Sequence, residues 1–168
     1  MIIQTGMRTD IPAFYSEWFL NRLREGYVLV RNPYNQQQVT RYRLSPDVVD
    51  LIAFCTKNPR PMLSHMDVLK PYGQYWFVTI TPYGKEIEPN VPDKKIVMED
   101  FKKLSKLAGI DSVGWRYDPI LLDREHTVEW HISEFEKWRP VFLVIQKLCD
   151  QFIDIYQKVA RNFPEART

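Results

Sequence analysis

Residues 75–122 read YWFVTITPYGKEIEPNVPDKKIVMEDFKKLSKLAGIDSVGWRYDPILL, and this stretch decides the fold class. An aromatic and β-branched run stops at a Pro-Tyr-Gly turn, a segment of helical period follows, and a second run of strand character closes the unit. Asp93 is the expected N-cap of the helix and Gly109 its stop. A strand, a crossover helix and another strand make the unit of a parallel sheet.

The same alternation extends outward in both directions. Towards the N-terminus, Met1–Thr5 is a first run, and AFYSEWFLNRLREG predicts a helix with Phe14, Trp18, Leu20 or Asn21, and Leu23 near one face and Gly26 as its stop. YVLVRNP is a second run, QQQVTRYRL an extended return strand, and SPDVVDLIAFCTKNP opens on a Ser-Pro turn before a strand over Asp50–Thr56. A helix is expected through MLSHMDVLKPYG. Towards the C-terminus the chain reads helical from Thr127 to about Trp138, where Pro140 should interrupt it, and VFLVIQKLCDQFIDIYQKV reads as either a further helix or a helix-to-strand passage. The expected fold is a single α/β domain over residues 1–168: an incomplete (β/α) barrel, or an open parallel sheet of about five to six strands flanked by helices.

Composition narrows the function classes. The 168 residues carry 23 Lys and Arg against 21 Asp and Glu, a net charge of +2 that gives little general attraction for nucleic acid. No run of about 18 apolar residues is present, and the N-terminal MIIQTGMRTD lacks the long apolar region of a signal peptide. A reduced, cytoplasmic chain with no membrane segment is the expectation. The two cysteines, Cys55 and Cys149, have no CxxC spacing, so a structural zinc site or an iron-sulfur cluster held by this chain alone is not expected.

One signature recurs at the predicted strand ends: Arg8-Thr9-Asp10, Arg31-Asn32-Pro33, Lys57-Asn58-Pro59 and Arg116-Tyr117-Asp118-Pro119. Each couples a cation with Asp or Asn where an apolar run stops. Turn formation, capping and local ion pairing account for any one of them. Together they suggest a ligand site, because the carboxyl ends of parallel strands meet on one face. Arg8, Arg31, Lys57 and Arg116 would hold an anionic small molecule there, with Asn32 and Asn58 beside them and Asp10 and Asp118 orienting the cations or binding a hydroxyl.

Other candidates carry less. His126 and His131 are five apart and do not share a helical face, which disfavours a metal pair, and His65 stands alone. Glu86 and Glu88 in YGKEIEPNVP have the form of paired carboxylates but sit in a loop that would carry such residues anyway. Trp18, Trp76, Trp115 and Trp130 lie in apolar segments and read as core. Cys55 reads as strand wall, not nucleophile, with no His in a motif beside it.

RTDIPAFY, EGYVLVRNP, LSPDVVDLIAF followed by TKNP and PM, YGKEIEPNVP and WRYDPILL, in this order, resemble the bacterial family called domain of unknown function 1848. The resemblance is strongest over residues 1–131; residues 132–168 read as a divergent helical part in which FIDIYQKVARNFPEART looks like a later family block. It implies a TIM-barrel-like fold related to radical S-adenosylmethionine enzymes. Longer relatives carry a C-terminal cysteine cluster thought to hold an iron-sulfur centre, so S-adenosylmethionine and the cluster are cofactors the resemblance implies for them. This chain lacks those cysteines and has Cys55 where the family motif has Trp. The expectation is therefore the substrate- or cofactor-binding part of such an enzyme, or alternatively a non-catalytic module working through self-association or a partner chain that covers an open sheet edge.

Overall fold

The computed structural model describes residues 1–142, 148–152 and 157–166. Its centre is a parallel sheet of five strands: β1 (Ile2–Gln4), β4 (Leu51–Thr56), β5 (Gly73–Thr79), β6 (Val113–Ile120) and β7 (Leu148–Phe152), adjacent in that order. Each of these strands pairs with the next one along the chain. There is no reversal of order, so right-handed crossovers carry the connecting segments to the same side of the sheet, as in a (β/α) barrel.

The register shows which side that is. Phe54 pairs with Trp76, Trp76 with Val113 and Val78 with Trp115, so these side chains form one face, buried in the main hydrophobic cluster. Helices α2 (Ser16–Glu25), α5 (Lys94–Ala108) and α6 (Val128–Phe142) pack on it. Phe19 meets Phe54 edge-on at 5.7 Å, Phe54 stacks on Trp76 at 3.9 Å, and Trp115 stacks on Phe142 at 4.2 Å. The opposite face presents Ala53 and Cys55 of β4, Tyr75, Phe77 and Thr79 of β5, and Gly114 and Arg116 of β6.

Several elements form where their residues direct. Asp93 caps α5 by accepting from the Lys95 N–H at 2.9 Å, and Gly109 ends it at φ 92°, a conformation that suits a residue without Cβ. Asp100, buried on α5, receives the Arg60 guanidinium at 2.7 and 3.3 Å, which ties α3 (Arg60–Leu63) to that helix.

Four expectations need correction. The run YVLVR is β2 (Tyr27–Arg31), which lies outside the parallel sheet and pairs antiparallel with β3 (Val39–Arg43), the return strand. The connection 32–38 is too short for a parallel crossover, which takes a dozen or more residues. The helix expected over residues 62–73 is split: α3 ends at Leu63, His65 leaves helical geometry (φ −121°, ψ 17°), and α4 covers Met66–Leu69. Pro140 does not stop α6, which continues to Phe142, where burial against Trp115 compensates the backbone bond that proline cannot make. The C-terminal part is not wholly helical: β7 adds a fifth parallel strand before α7 (Gln157–Asn162), while residues 143–147 and 153–156 of the ambiguous stretch lie outside the described residues.

Phe14 and Trp18 also depart from the predicted core face of α2. Trp18 is 47% exposed and Phe14, on the preceding short helix α1 (Ile11–Phe14), is 68% exposed; Phe19, Leu20 and Leu23 supply the buried stripe instead.

Candidate functional site

Six residues after β1, at Asp10, and immediately after β4, at Lys57, the chain makes a joint that shapes the carboxyl end of the sheet. The Asp10 carboxylate accepts from the Ala13 N–H at 3.0 Å, capping α1, and from the Lys57 N–H at 2.7 Å. Both of its oxygens accept from backbone groups, so Asp10 ties the strand ends together, and among the described residues no cationic side chain is bonded to it. Gly6 lies against Cys55 so closely that a Cβ there would stand 2.6 Å from the Cys55 Cβ. Above this joint is a cavity of about 270 Å³, with Thr9, Asp10, Lys57, Asn58, Thr79 and Asn90 among its polar lining and Cys55 in its wall.

The principal charge centre lies at the same end. Glu88, in the loop after β5, is buried, and its carboxylate is bonded by the Lys57 and Lys94 ammonium groups and by the Thr81 hydroxyl at 2.8 Å. Burial alone would push its pKa up, but the two lysines more than compensate and hold it below the ordinary glutamate value. On the neighbouring strand, Arg116 pairs with Asp118 at 2.5 Å, and Arg116 stands in register with Thr79. The Asp118–Pro119 peptide is cis.

The eight predicted site residues therefore divide. Asp10, Lys57 and Asn58 share one cavity, and the Arg116–Asp118 pair stands beside its β5 wall. Asn58 is partly committed, since its side-chain oxygen accepts from the Arg60 N–H at 3.3 Å. Arg8 lines a different groove. Arg31 and Asn32 are at the tip of the β2–β3 hairpin and do not line the strand-end cavity; Asn32 closes the hairpin loop through the Gln38 side chain at 2.7 Å and the Tyr34 N–H at 2.9 Å.

From sequence, Glu88 reads only as one of a loop pair with Glu86, and Lys94 does not stand out. Glu86 and Glu88 are not a working pair: Glu86 is exposed and accepts from the Gly84 N–H at 2.8 Å, while Glu88 turns inward. A signal for the true arrangement existed in VPDKK. Lysines in the first turn of a helix oppose its macrodipole, and α5 has no acidic residue there, so Lys94 calls for a carboxylate from elsewhere.

A second polar cluster lies beyond β6. The Tyr83 hydroxyl donates to the Pro119 carbonyl and accepts from the Leu121 N–H, both at 2.7 Å. His131 Nε2 lies 2.9 Å from the Leu121 carbonyl, which only accepts, so that nitrogen carries the proton and Nδ1 accepts from the Tyr117 hydroxyl at 2.8 Å. His126 Nδ1 lies 2.9 and 3.0 Å from the two Asp123 oxygens. Burial raises the pKa of both tyrosines and lowers that of His131. The hydrogen bonds of Tyr83, Tyr117 and His131 fasten the 119–131 segment over the core.

The sequence profile of the domain of unknown function DUF1848 matches residues 2–168. The chain belongs to the DUF1848 family. The match extends through residues 132–168. No curated protein and no solved structure matches the chain. An iron-sulfur cluster of the kind implied for longer relatives takes three or four thiolates. This DUF1848 chain has two, Cys55 on β4 and Cys149 on β7, strands that are not neighbours in the sheet. The residues present do not fit the cluster. Among the described residues, no helix is long and apolar enough to cross a membrane.

Proposed function

We propose that this DUF1848 chain is the substrate- or cofactor-binding part of an enzyme and takes a small anion at the carboxyl ends of its parallel strands. The observation that carries this reading is the Lys57–Glu88–Lys94 cluster: two ammonium groups share one buried carboxylate, a net charge of +1 for the cluster, beside a cavity of about 270 Å³ whose acidic lining residue, Asp10, has both oxygens bonded to backbone N–H groups. A carboxylate or phosphate group supplies the missing charge, and threonine and asparagine side chains around the cavity supply hydrogen bonds to its other atoms. Lys57 acts as a point charge held in place by Glu88, and the Arg116–Asp118 pair bounds the site on the β6 side.

Isothermal titration with inorganic phosphate, a short dicarboxylate and S-adenosylmethionine tests the reading. Saturable binding of at least one of these, weakened roughly tenfold or more in Lys57→Ala as expected for loss of a charge-assisted contact, is the supporting result. A Lys57→Ala variant that binds as the parent does would overturn it.

A further inference from the structure

We propose that the groove between α2, the end of β1 and the β2–β3 hairpin is a second, separate site, and that its ligand is a small amphiphilic carboxylate with one anionic head and a compact apolar body. The groove encloses about 330 Å³, at the small end of the range for small-molecule sites. Its walls are largely apolar, with Ile3 and Ile11 on one side, Trp18 and Phe19 of α2 on another, and Val28 and Val30 of the hairpin on the third. Its charged residues are Arg8 and Arg22, with no Asp or Glu among the lining.

Arg22 is the decisive residue. Its Nε is buried and has no hydrogen-bond partner, and no other side-chain nitrogen or oxygen among the described residues is left in that state. The guanidinium is placed over the Tyr27 ring, 5.7 Å from its centroid. A buried charged donor left unbonded is costly, and a carboxylate relieves that cost with a directional, charge-assisted bond. Arg8, at the rim, takes part in no hydrogen bond or ion pair among the described residues and adds a second cation on the same groove. Trp18 stands one helical turn before Arg22 on α2, exposed above an apolar wall that the body of a ligand would cover. An amphiphilic anion satisfies both halves of the groove. A fully hydrophilic anion such as phosphate leaves the walls wet, and a neutral hydrocarbon leaves Arg22 unbonded.

The groove is distinct from the anion site at the strand ends. Of the residues lining the two, Thr9 alone is shared, and Lys57, Glu88 and Lys94 take no part in the groove.

The test is titration of the full chain with octanoate, with 1-octanol as the neutral analogue and octylammonium as the cation, followed by calorimetry and by quenching of tryptophan fluorescence. Octanoate is expected to bind saturably, one per chain, with 1-octanol at least about tenfold weaker and octylammonium weaker still. Arg22→Met should weaken octanoate by roughly ten- to hundredfold, and Arg8→Gln, a surface change that spares the core, by several-fold with an unaltered melting temperature. Lys57→Ala should leave octanoate binding unchanged. Equal binding of octanoate and 1-octanol, absence of saturable binding, parent-like affinity in both arginine variants, or loss of octanoate binding in Lys57→Ala would each overturn the proposal. The last result would place the ligand in the strand-end site instead.

Discussion

Asp10 and Lys57 are joined by a hydrogen bond from the Lys57 backbone N–H to the Asp10 carboxylate at 2.7 Å, across 47 positions of sequence. The same carboxylate starts α1 by accepting from the Ala13 N–H. One side chain thus fixes the end of β4 relative to the segment that leaves β1, and the lysine ammonium is delivered to Glu88 from a backbone that cannot shift freely. Asp10→Ala removes a helix cap and orphans a partly buried N–H, for an expected loss of about 2 kcal/mol. Asp10→Asn keeps one acceptor oxygen and should lose about half as much. Urea unfolding midpoints of the three proteins measure the order. Equal stability of Asp10→Ala and the parent would contradict the role given to this residue.

Glu88→Gln tests the charge cluster. The substitution leaves the Lys57 and Lys94 ammonium groups facing a neutral amide, and since both are partly exposed and can rehydrate, the expected loss is about 2 kcal/mol near pH 7, below that of a fully buried pair. The pH dependence has a definite sign. Glu88 has a folded pKa held below its ordinary 4.5, so its contribution is complete above that value and declines as pH falls through the lower, folded value. The stability difference between parent and Glu88→Gln should therefore be widest near neutral pH and narrow on acidification below about pH 4.5. Chemical denaturation at several pH values follows it.

How much of this was legible follows from how local each feature is. The bounds of α5 were readable because Asp93 and Gly109 act through neighbouring backbone, and β4, β5 and β6 because their apolar runs are buried in one core. The hairpin was not separable from the parallel strands by its residues, since Val28, Leu29 and Val30 have the composition of a buried strand while Leu29 and Val30 are exposed. Only the short 32–38 connection distinguishes it. At the site, Lys57 and Asp10 were visible as a strand-end signature, but their partners were not. Glu88 owes its burial to two lysines, one 31 positions before it and the other six after it, and no local pattern encodes that meeting. Arg8 and Arg31 carried the same signature as Lys57, yet only the folded chain shows that Arg8 lines a different groove and that Arg31 ends a strand outside the parallel sheet.

His131 should report acidification within the physiological range. Burial, with a smaller contribution from nearby His126, lowers its pKa below the ordinary 6.5, so the unfolded chain takes up a proton that the folded chain resists. Its linkage contribution is absent above about pH 6.5 and destabilises the fold progressively as pH falls from there towards the lowered folded value. His131→Gln should lack that decline, although it loses some stability at pH 7 by disturbing the bonds to Tyr117 and Leu121. Nitrogen-15 chemical shifts offer a direct check: the imidazole should stay neutral, with its proton on Nε2, at a pH where exposed histidines are half protonated. A proton found on Nδ1 at neutral pH would contradict the assigned bonding.

Gly6→Ala tests whether the joint under the strand-end cavity is as tight as its geometry states. The added methyl carbon would stand 2.6 Å from the Cys55 Cβ and 3.2 Å from its Sγ, and the nearer of these belongs to a β-carbon that no rotamer change can move. Relief requires backbone displacement of β4 or of the segment after β1, at an expected cost of about 1–3 kcal/mol. The contact also dictates which second substitution restores the fold. Cys55→Ala removes the sulfur but keeps the Cβ, so the double variant with Gly6→Ala should remain destabilised. Cys55→Gly removes the Cβ itself and should recover part of the loss, beyond what additivity of the two single changes predicts. Because Cys55 adjoins Thr56 and Lys57, the uncompensated Gly6→Ala variant should also weaken anion binding at Lys57, and the double variant with Cys55→Gly should bind more tightly than it does. Thermal unfolding and calorimetric titration of the single and double variants measure both effects, and equal rescue by alanine and glycine at position 55 would show that the Cβ contact is not what constrains the joint.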